Sequence, residues 1–195
     1  MSQSSEPEIT IISSLEAVRL RHNMFIEATD QRGLHQLITY TVDSLLWHYR
    51  FLKQPLAAIT VRLERDNSAT ITSEVSRPSE SFLERSAQQM RKDIGNLYTG
   101  PIQIFVVSAL CDRLSMTIHE QENQWRSLVS ERGVVQSEEV VANSPCRGCD
   151  IQIRLWPDFT ILDPGNFDYE RTREVLQPIA TRNADVAITV VEHAG

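Results

Sequence analysis

Between Gly33 and Tyr49 the residues able to do chemistry recur at helical spacing. Tyr40, Asp43, Ser44, Trp47 and His48 fall three or four apart. A helix would carry this phenol, carboxylate, hydroxyl, indole and imidazole along one side. The phenol is a poor proton acceptor, because an ordinary tyrosine pKa of about 10 leaves Tyr40 protonated at neutral pH. A second constellation, Cys146-Arg147-Gly148-Cys149, has the spacing of a zinc knuckle or a redox pair. It lacks a second ligand pair at matching spacing; only Cys111 and five scattered His residues remain. Two loop thiols, with no metal and no cofactor, is the simpler reading.

The elements that must position these groups follow from pattern. From Leu34, apolar residues recur at Leu37, Ile38, Thr41 or Val42, Leu45, Leu46 and Tyr49, which predicts a helix over 34–50 with one buried side. A short helix is expected over Glu16–Arg21. Ala58–Leu63 and Ser68–Thr72 alternate like half-buried strands around the turn residues Asp66-Asn67. Ser79–Lys92 reads as a polar helix and Ile102–Leu110 as a buried one. Leu114–His119, Gln124–Val129, Asp150–Trp156 and a closing Asp185–Val191 read as further strands. A helix over Asp168–Ile179 opens on Asp168 and is disturbed by Pro178. This order predicts an α+β fold, a two-layer sandwich with a mostly antiparallel sheet packed on helices. Residues 1–8 are expected to form a flexible tail and 9–195 a single domain.

Composition narrows the partners. The formal charge of −7 disfavours a direct grip on DNA, since phosphate binding needs clustered Lys and Arg and no basic run is present. No apolar run reaches the ~18 residues of a membrane span. The polar, acidic start Met-Ser-Gln-Ser-Ser-Glu-Pro-Glu is unlike a secretory signal. A bacterial-type cytoplasmic protein is the expectation.

Four stretches resemble the ATPase domain of the gyrase B and topoisomerase IV family, with its GHKL or Bergerat fold. Leu15-Glu16-Ala17-Val18-Arg19-Leu20-Arg21-His22-Asn23-Met24-Phe25-Ile26 stands against Leu-Glu-Ala-Val-Arg-Lys-Arg-Pro-Gly-Met-Tyr-Ile. The Gly33–Leu46 segment stands against Gly-Leu-His, an apolar stretch and Glu-Val-Val-Asp-Asn. Val106-Val107-Ser108-Ala109-Leu110 matches Val-Val-Asn-Ala-Leu, and Ile153-Arg154-Leu155-Trp156-Pro157-Asp158 matches Val-Arg-Phe-Trp-Pro-Asp. They appear in the family's order across nearly the whole chain, without its transducer and toprim regions. In the family, Arg19, Arg21 and Met24 belong to a pattern that shapes one wall of the domain.

The departures fall on the nucleotide site that the resemblance implies. In the family the helix carries a Glu that activates water and an Asn that holds magnesium; here those places are Tyr40 and Ser44. Asp43 matches a residue that need not touch ligand. Trp47 and His48 stand where the family has acidic residues. After the second strand the family reads Asp-Asp-Gly-Arg-Gly-Ile-Pro, with one Asp on the adenine amino group and glycines that admit the nucleotide. The same stretch here is Ser73-Glu74-Val75-Ser76-Arg77-Pro78, so Ser73 can still accept a hydrogen bond while Val75 and Arg77 bring side chains. Pro101, within the match to the phosphate loop, has no N–H to donate. Ile151 replaces a Thr that helps bind adenine. Arg126 matches an Arg at the pocket mouth or is a solvated strand residue.

A lost general base costs about 10²–10⁴-fold in rate, and a lost metal ligand adds to that. The expected function is a catalytically inactive gyrase-B-like pseudo-ATPase. It would work as a protein-binding or regulatory module, with a partner in the gyrase or topoisomerase system as the analogy from fold. The alternative is a divergent nucleotide- or small-ligand-binding protein. Nucleotide binding is disfavoured. Tyr40 with Trp47 or His48 either fills the vacated pocket, or lines a new groove or meets a partner.

Overall fold

Three rows of side chains running across a sheet account for the core. The computed structural model describes residues 12–75, 80–95, 102–121, 124–141 and 150–192. Its strands are β1 (Ala58–Leu63), β2 (Ala69–Glu74), β3 (Cys111–Gln121), β4 (Gln124–Glu131), β5 (Val134–Val141), β6 (Ile151–Pro157) and β7 (Ala187–Glu192). They form one sheet in the order β5-β4-β3-β6-β2-β1-β7. Every neighbouring pair is antiparallel except β1 with β7, which is parallel. Across β1, β2, β6 and β3 the register aligns Ile59–Ser73–Ile151–Ile118, then Val61–Ile71–Ile153–Met116, then Leu63–Ala69–Leu155–Leu114. All twelve are buried. The intervening positions, among them Thr60, Thr72, Gln152 and Thr117, are polar. One apolar side of the sheet therefore has to be covered, and the period-2 alternation of each strand is the reason.

Five helices accompany the sheet among the described residues: α1 (Ser14–Leu20), α2 (Gln31–Phe51), α3 (Glu80–Gly95), α4 (Ile102–Leu110) and α5 (Tyr169–Arg182). In α2, Leu34, Leu37, Ile38, Thr41, Val42, Leu45 and Tyr49 are buried, as the spacing predicts. Asp30 caps its first turn by accepting from the Arg32 N–H. Ser13 and Glu16 form a capping box on α1, and Asp168 caps α5. At Gly33 an added Cβ would sit 1.8 Å from the Ala28 carbonyl oxygen, so only glycine lets the chain before α2 lie against its first turn.

The α+β sandwich with a mostly antiparallel sheet is thus what the sequence predicts, with two differences. Strand β5 is not among the predicted elements. It is an edge strand, and its Val134, Val135 and Val140 are exposed among Glu138 and Glu139, so no alternation marks it. Helix α5 runs through Pro178 to Arg182. The tail expected over 1–8 and the Cys146/Cys149 pair lie outside the described residues; Cys111 is buried. No described helix is long and apolar enough to cross a membrane.

Candidate functional site

Helix α2 brings its chemical residues to three different places. The Tyr40 hydroxyl donates to the Phe25 carbonyl at 2.7 Å and accepts from Gln36 Nε2 at 2.9 Å. Burial raises its pKa further above the ordinary phenol value, with a smaller push from Glu27. Asp43 is half-buried; burial raises its pKa, and the positive charges of Arg182 and Arg50 oppose the rise. Arg50 donates to Asn183 at the end of α5, so this side of α2 meets α5. Trp47 points outward and stacks on Phe51, their ring centroids 4.8 Å apart.

The remaining side of α2 is closed by the protein itself. Ser44 and His48, one turn apart, are 1% and 0% exposed. His48 Nε2 lies 2.8 Å from Ser86 Oγ of α3, and burial lowers the imidazole pKa to about 4. The neutral ring is the stable one there. Next along the helix, the Tyr49 hydroxyl and Ser73 Oγ are 2.7 Å apart. Ser73 is the single polar member of the Ile59–Ser73–Ile151–Ile118 row, and Tyr49 satisfies it. The Tyr49 ring packs on Phe82 of α3 at 5.6 Å between centroids. Helix α3, which also lies across β3 and α4, buries Phe82, Ser86, Met90 and Ile94. Aromatic and aliphatic side chains therefore occupy the ground above Ser73.

Asp150 completes this corner. Its backbone N–H donates to the Ser73 carbonyl at 2.8 Å and its carboxylate accepts from the Val75 N–H. Burial pushes its pKa up to about 6.

Comparison with known proteins gives this geometry a family. No family model matches the chain. In sequence it is similar to the DNA gyrase B protein of Haloferax volcanii, 29% identical over 97% of this chain and 33% of that protein. The gyrase B protein of Micrococcus luteus is 28% identical over 94% of this chain and 27% of its own length. The corresponding B protein of DNA topoisomerase 4 from Mycoplasma pneumoniae is 26% identical over 98% and 32%. In structure the chain is similar to the 43K ATPase domain of Thermus thermophilus gyrase B, crystallised with an aminocoumarin. That likeness has a TM-score of 0.72 at 24% identity, over 93% of this chain and 50% of that one. The chain is a gyrase-B-like GHKL domain. It spans about a third of the length of the gyrase and topoisomerase relatives just named.

Within the gyrase-B-like domain, the positions that resemblance assigns to the nucleotide separate into groups. Ser73 and Ile151 are register partners on β2 and β6 and are buried, Ser44 is buried on α2, and Val75 packs against the same core. Tyr40 does not join them, since its hydroxyl is committed to Phe25, and Trp47 is on the surface. Of these three aromatic groups His48 alone is fully buried, and its partner is Ser86 of α3. Arg126 is also apart. It shares the Ser73 row but stands three strands away on β4, about 14 Å at ordinary strand spacing. It pairs with Glu138 of β5. Met24 is exposed, whereas Arg19 is anchored: it donates to the Ala109 carbonyl and to Asp158, each at 2.6 Å. Arg77 and Pro101 lie outside the described residues. Tyr49, Phe82, Ser86 and Asp150 were not singled out from sequence. The polar character of Ser79–Lys92 hid the contact surface of α3, and Tyr49 read as ordinary core.

Proposed function

We propose that this gyrase-B-like domain does not hydrolyse ATP and that it works in the cytoplasm as a regulatory module that binds another protein. One observation carries the first half. The residues matched to the metal and adenine contacts, Ser44, Ser73 and Ile151, are buried under the domain's own side chains, and the Ser73 hydroxyl is taken by Tyr49. Supporting it, the residue in the place of the general base is a phenol kept protonated by burial and hydrogen-bonded to a carbonyl. Removal of a general base alone costs about 10²–10⁴-fold. The protein-binding half is supported by the exposed Trp47–Phe51 pair on the same helix, because large solvent-facing aromatics mark interaction surfaces. A partner within the gyrase or topoisomerase system follows by analogy with the fold.

The test is phosphate release from ATP with magnesium, alongside thermal melting with ATP or ADP. Release should not exceed that of a Tyr40→Phe variant. A Tyr40→Glu, Ser44→Asn double change should not restore turnover, since Tyr49 and Phe82 still occupy the site. Ligand at 100 times its Kd would stabilise the fold by about 2.7 kcal/mol, so an unshifted melt is expected. A clear shift with nucleotide would replace this reading with the ligand-binding one. Affinity capture from the native cell, with purified gyrase proteins as direct probes, identifies the partner.

A further inference from the structure

We propose that the groove between the end of α2 and α3 receives an acidic peptide segment with an aromatic or leucine anchor. The inference rests on the protein-binding reading above and names the chemistry of the partner. The groove holds about 290 Å³ and is lined by Phe51, Leu52, Arg85, Gln88, Gln89 and Lys92. The four α3 residues are spaced i, i+3, i+4 and i+7, so they form one stripe along the helix. That stripe consists of two cations and two carboxamides, and no carboxylate lines the groove among the described residues. The chain as a whole is of opposite character, with a net charge of −7.

Phe51 and Leu52 supply the apolar half, and Phe51 is backed by Trp47, which is not itself in the lining. Trp47 and Phe51 are one turn apart, with ring planes 8° from parallel, and are 36% and 56% exposed. Two aromatic rings held flat against each other give a rigid platform at little further entropic cost, and aromatic and arginine side chains dominate binding hot spots. A guanidinium and an ammonium each carry several N–H donors, so Arg85 and Lys92 can donate to an incoming carboxylate as well as to their neighbours in the fold. Each Gln carboxamide has two donor hydrogens, so Gln88 and Gln89 can donate outward although they already meet Glu84 and Asp93. An anchor side chain one or two residues along the peptide then lies on the Phe51 face.

The same features argue against the other occupants. Two lining cations are too few to follow a phosphodiester backbone, whose binding requires several neutralised phosphates. A second copy of the chain brings another −7 of charge to the encounter.

The experiment selects a random twelve-residue display library on the full chain, after depletion on an Arg85→Glu, Lys92→Glu variant. Enriched peptides should be rich in Asp and Glu with a Phe, Tyr, Trp or Leu among them. The synthesised best peptide should bind at least about tenfold more weakly to Phe51→Ala and to the charge-reversed variant. Hydrogen exchange of the unaltered chain with that peptide reads the site without any substitution, and protection over 47–53 and 85–92 is expected. Enriched sequences with no acidic bias, protection confined elsewhere, or tighter binding of a twelve-nucleotide oligothymidylate overturns the proposal. Phosphate release from ATP is measured in parallel, so failure of the noncatalytic reading is seen separately from failure of the groove.

Discussion

Two ends of this domain resemble gyrase B in opposite ways. At one end three of the four matching stretches converge on a single side chain: Arg19, from the first, donates to Ala109 of the third and to Asp158 of the fourth. Nearby, Gly33 admits the Ala28 carbonyl. His35 accepts from the Asp168 N–H at 3.0 Å, which leaves its other ring nitrogen to donate to the Gln31 carbonyl at 2.6 Å. Every one of these residues has its partner inside the protein. At the other end stand Ser44, Ser73 and Ile151, whose counterparts in the family are matched to metal or adenine, and apart from them Tyr40 takes the place of the residue matched to water. The resemblance persists where a side chain serves the chain itself and lapses where it would serve a ligand.

That contrast can be broken most directly at Phe82. If α3 closes the second end by packing, Phe82→Ala should cost about 3–5 kcal/mol in urea unfolding, the usual range for a buried Phe. A loss below about 1 kcal/mol would mean that the ring fills nothing. Arg19→Met probes the first end. It strands Asp158, 1% exposed, with the more distant Arg132 at 3.5 Å, and should cost about 3 kcal/mol. A near-neutral result would detach the matching stretches from stability.

Acid sharpens the comparison. His48 titrates at about 4 in the fold against an ordinary 6.5, because burial disfavours its charge. The unfolded chain takes the proton first, so the stability owed to neutral His48 is complete above pH 6.5 and is lost as the pH falls toward 4. Asp93 and Asp150, pushed up to about 6 by burial, act with opposite sign: their contribution is present below 3.8 and is lost as the pH rises through 6. Relative to the wild type, His48→Gln should therefore gain about 2–3 kcal/mol between pH 7 and pH 4, read from urea midpoints. Parallel pH profiles would show that His48 is not held neutral. The smallest effect is expected at Tyr40→Phe, about 1 kcal/mol for one hydrogen bond to the Phe25 carbonyl, with no change in ATP turnover.

Helix α2 was legible because its apolar period is local, and the strands because each alternates. Register was not, yet register decides that Ser73 stands beside Ile151 and that Arg126 does not. The filling of the site was hidden for a related reason. Tyr49 could be assigned to core from its spacing, but nothing near it in sequence reveals that Phe82 and Ser73 meet it. Helix α3 concealed its role behind a polar composition, since three apolar residues and a buried serine suffice to seat it. Trp47 misled in the other direction, because three residues beyond Ser44 on a helix is also a rotation of about 60° away from it, enough to carry it to the surface.

Strand β7 has a consequence for how the domain is made. Among the described residues it pairs with β1 alone, in parallel, with Ala187 beside Ala58 and Glu192 beside Leu63. A ribosome releases Ala58–Leu63 long before Ala187–Glu192 exists. Until then β1 presents an open row of backbone donors and acceptors flanked by Ile59 and Val61, the kind of edge on which nascent chains associate. The β1–β7 pairing joins segments more than 120 residues apart, the kind of contact whose loop-closure cost slows folding. Chains truncated before Ala187 retain every residue of the nucleotide-matched corner and still leave that edge uncovered.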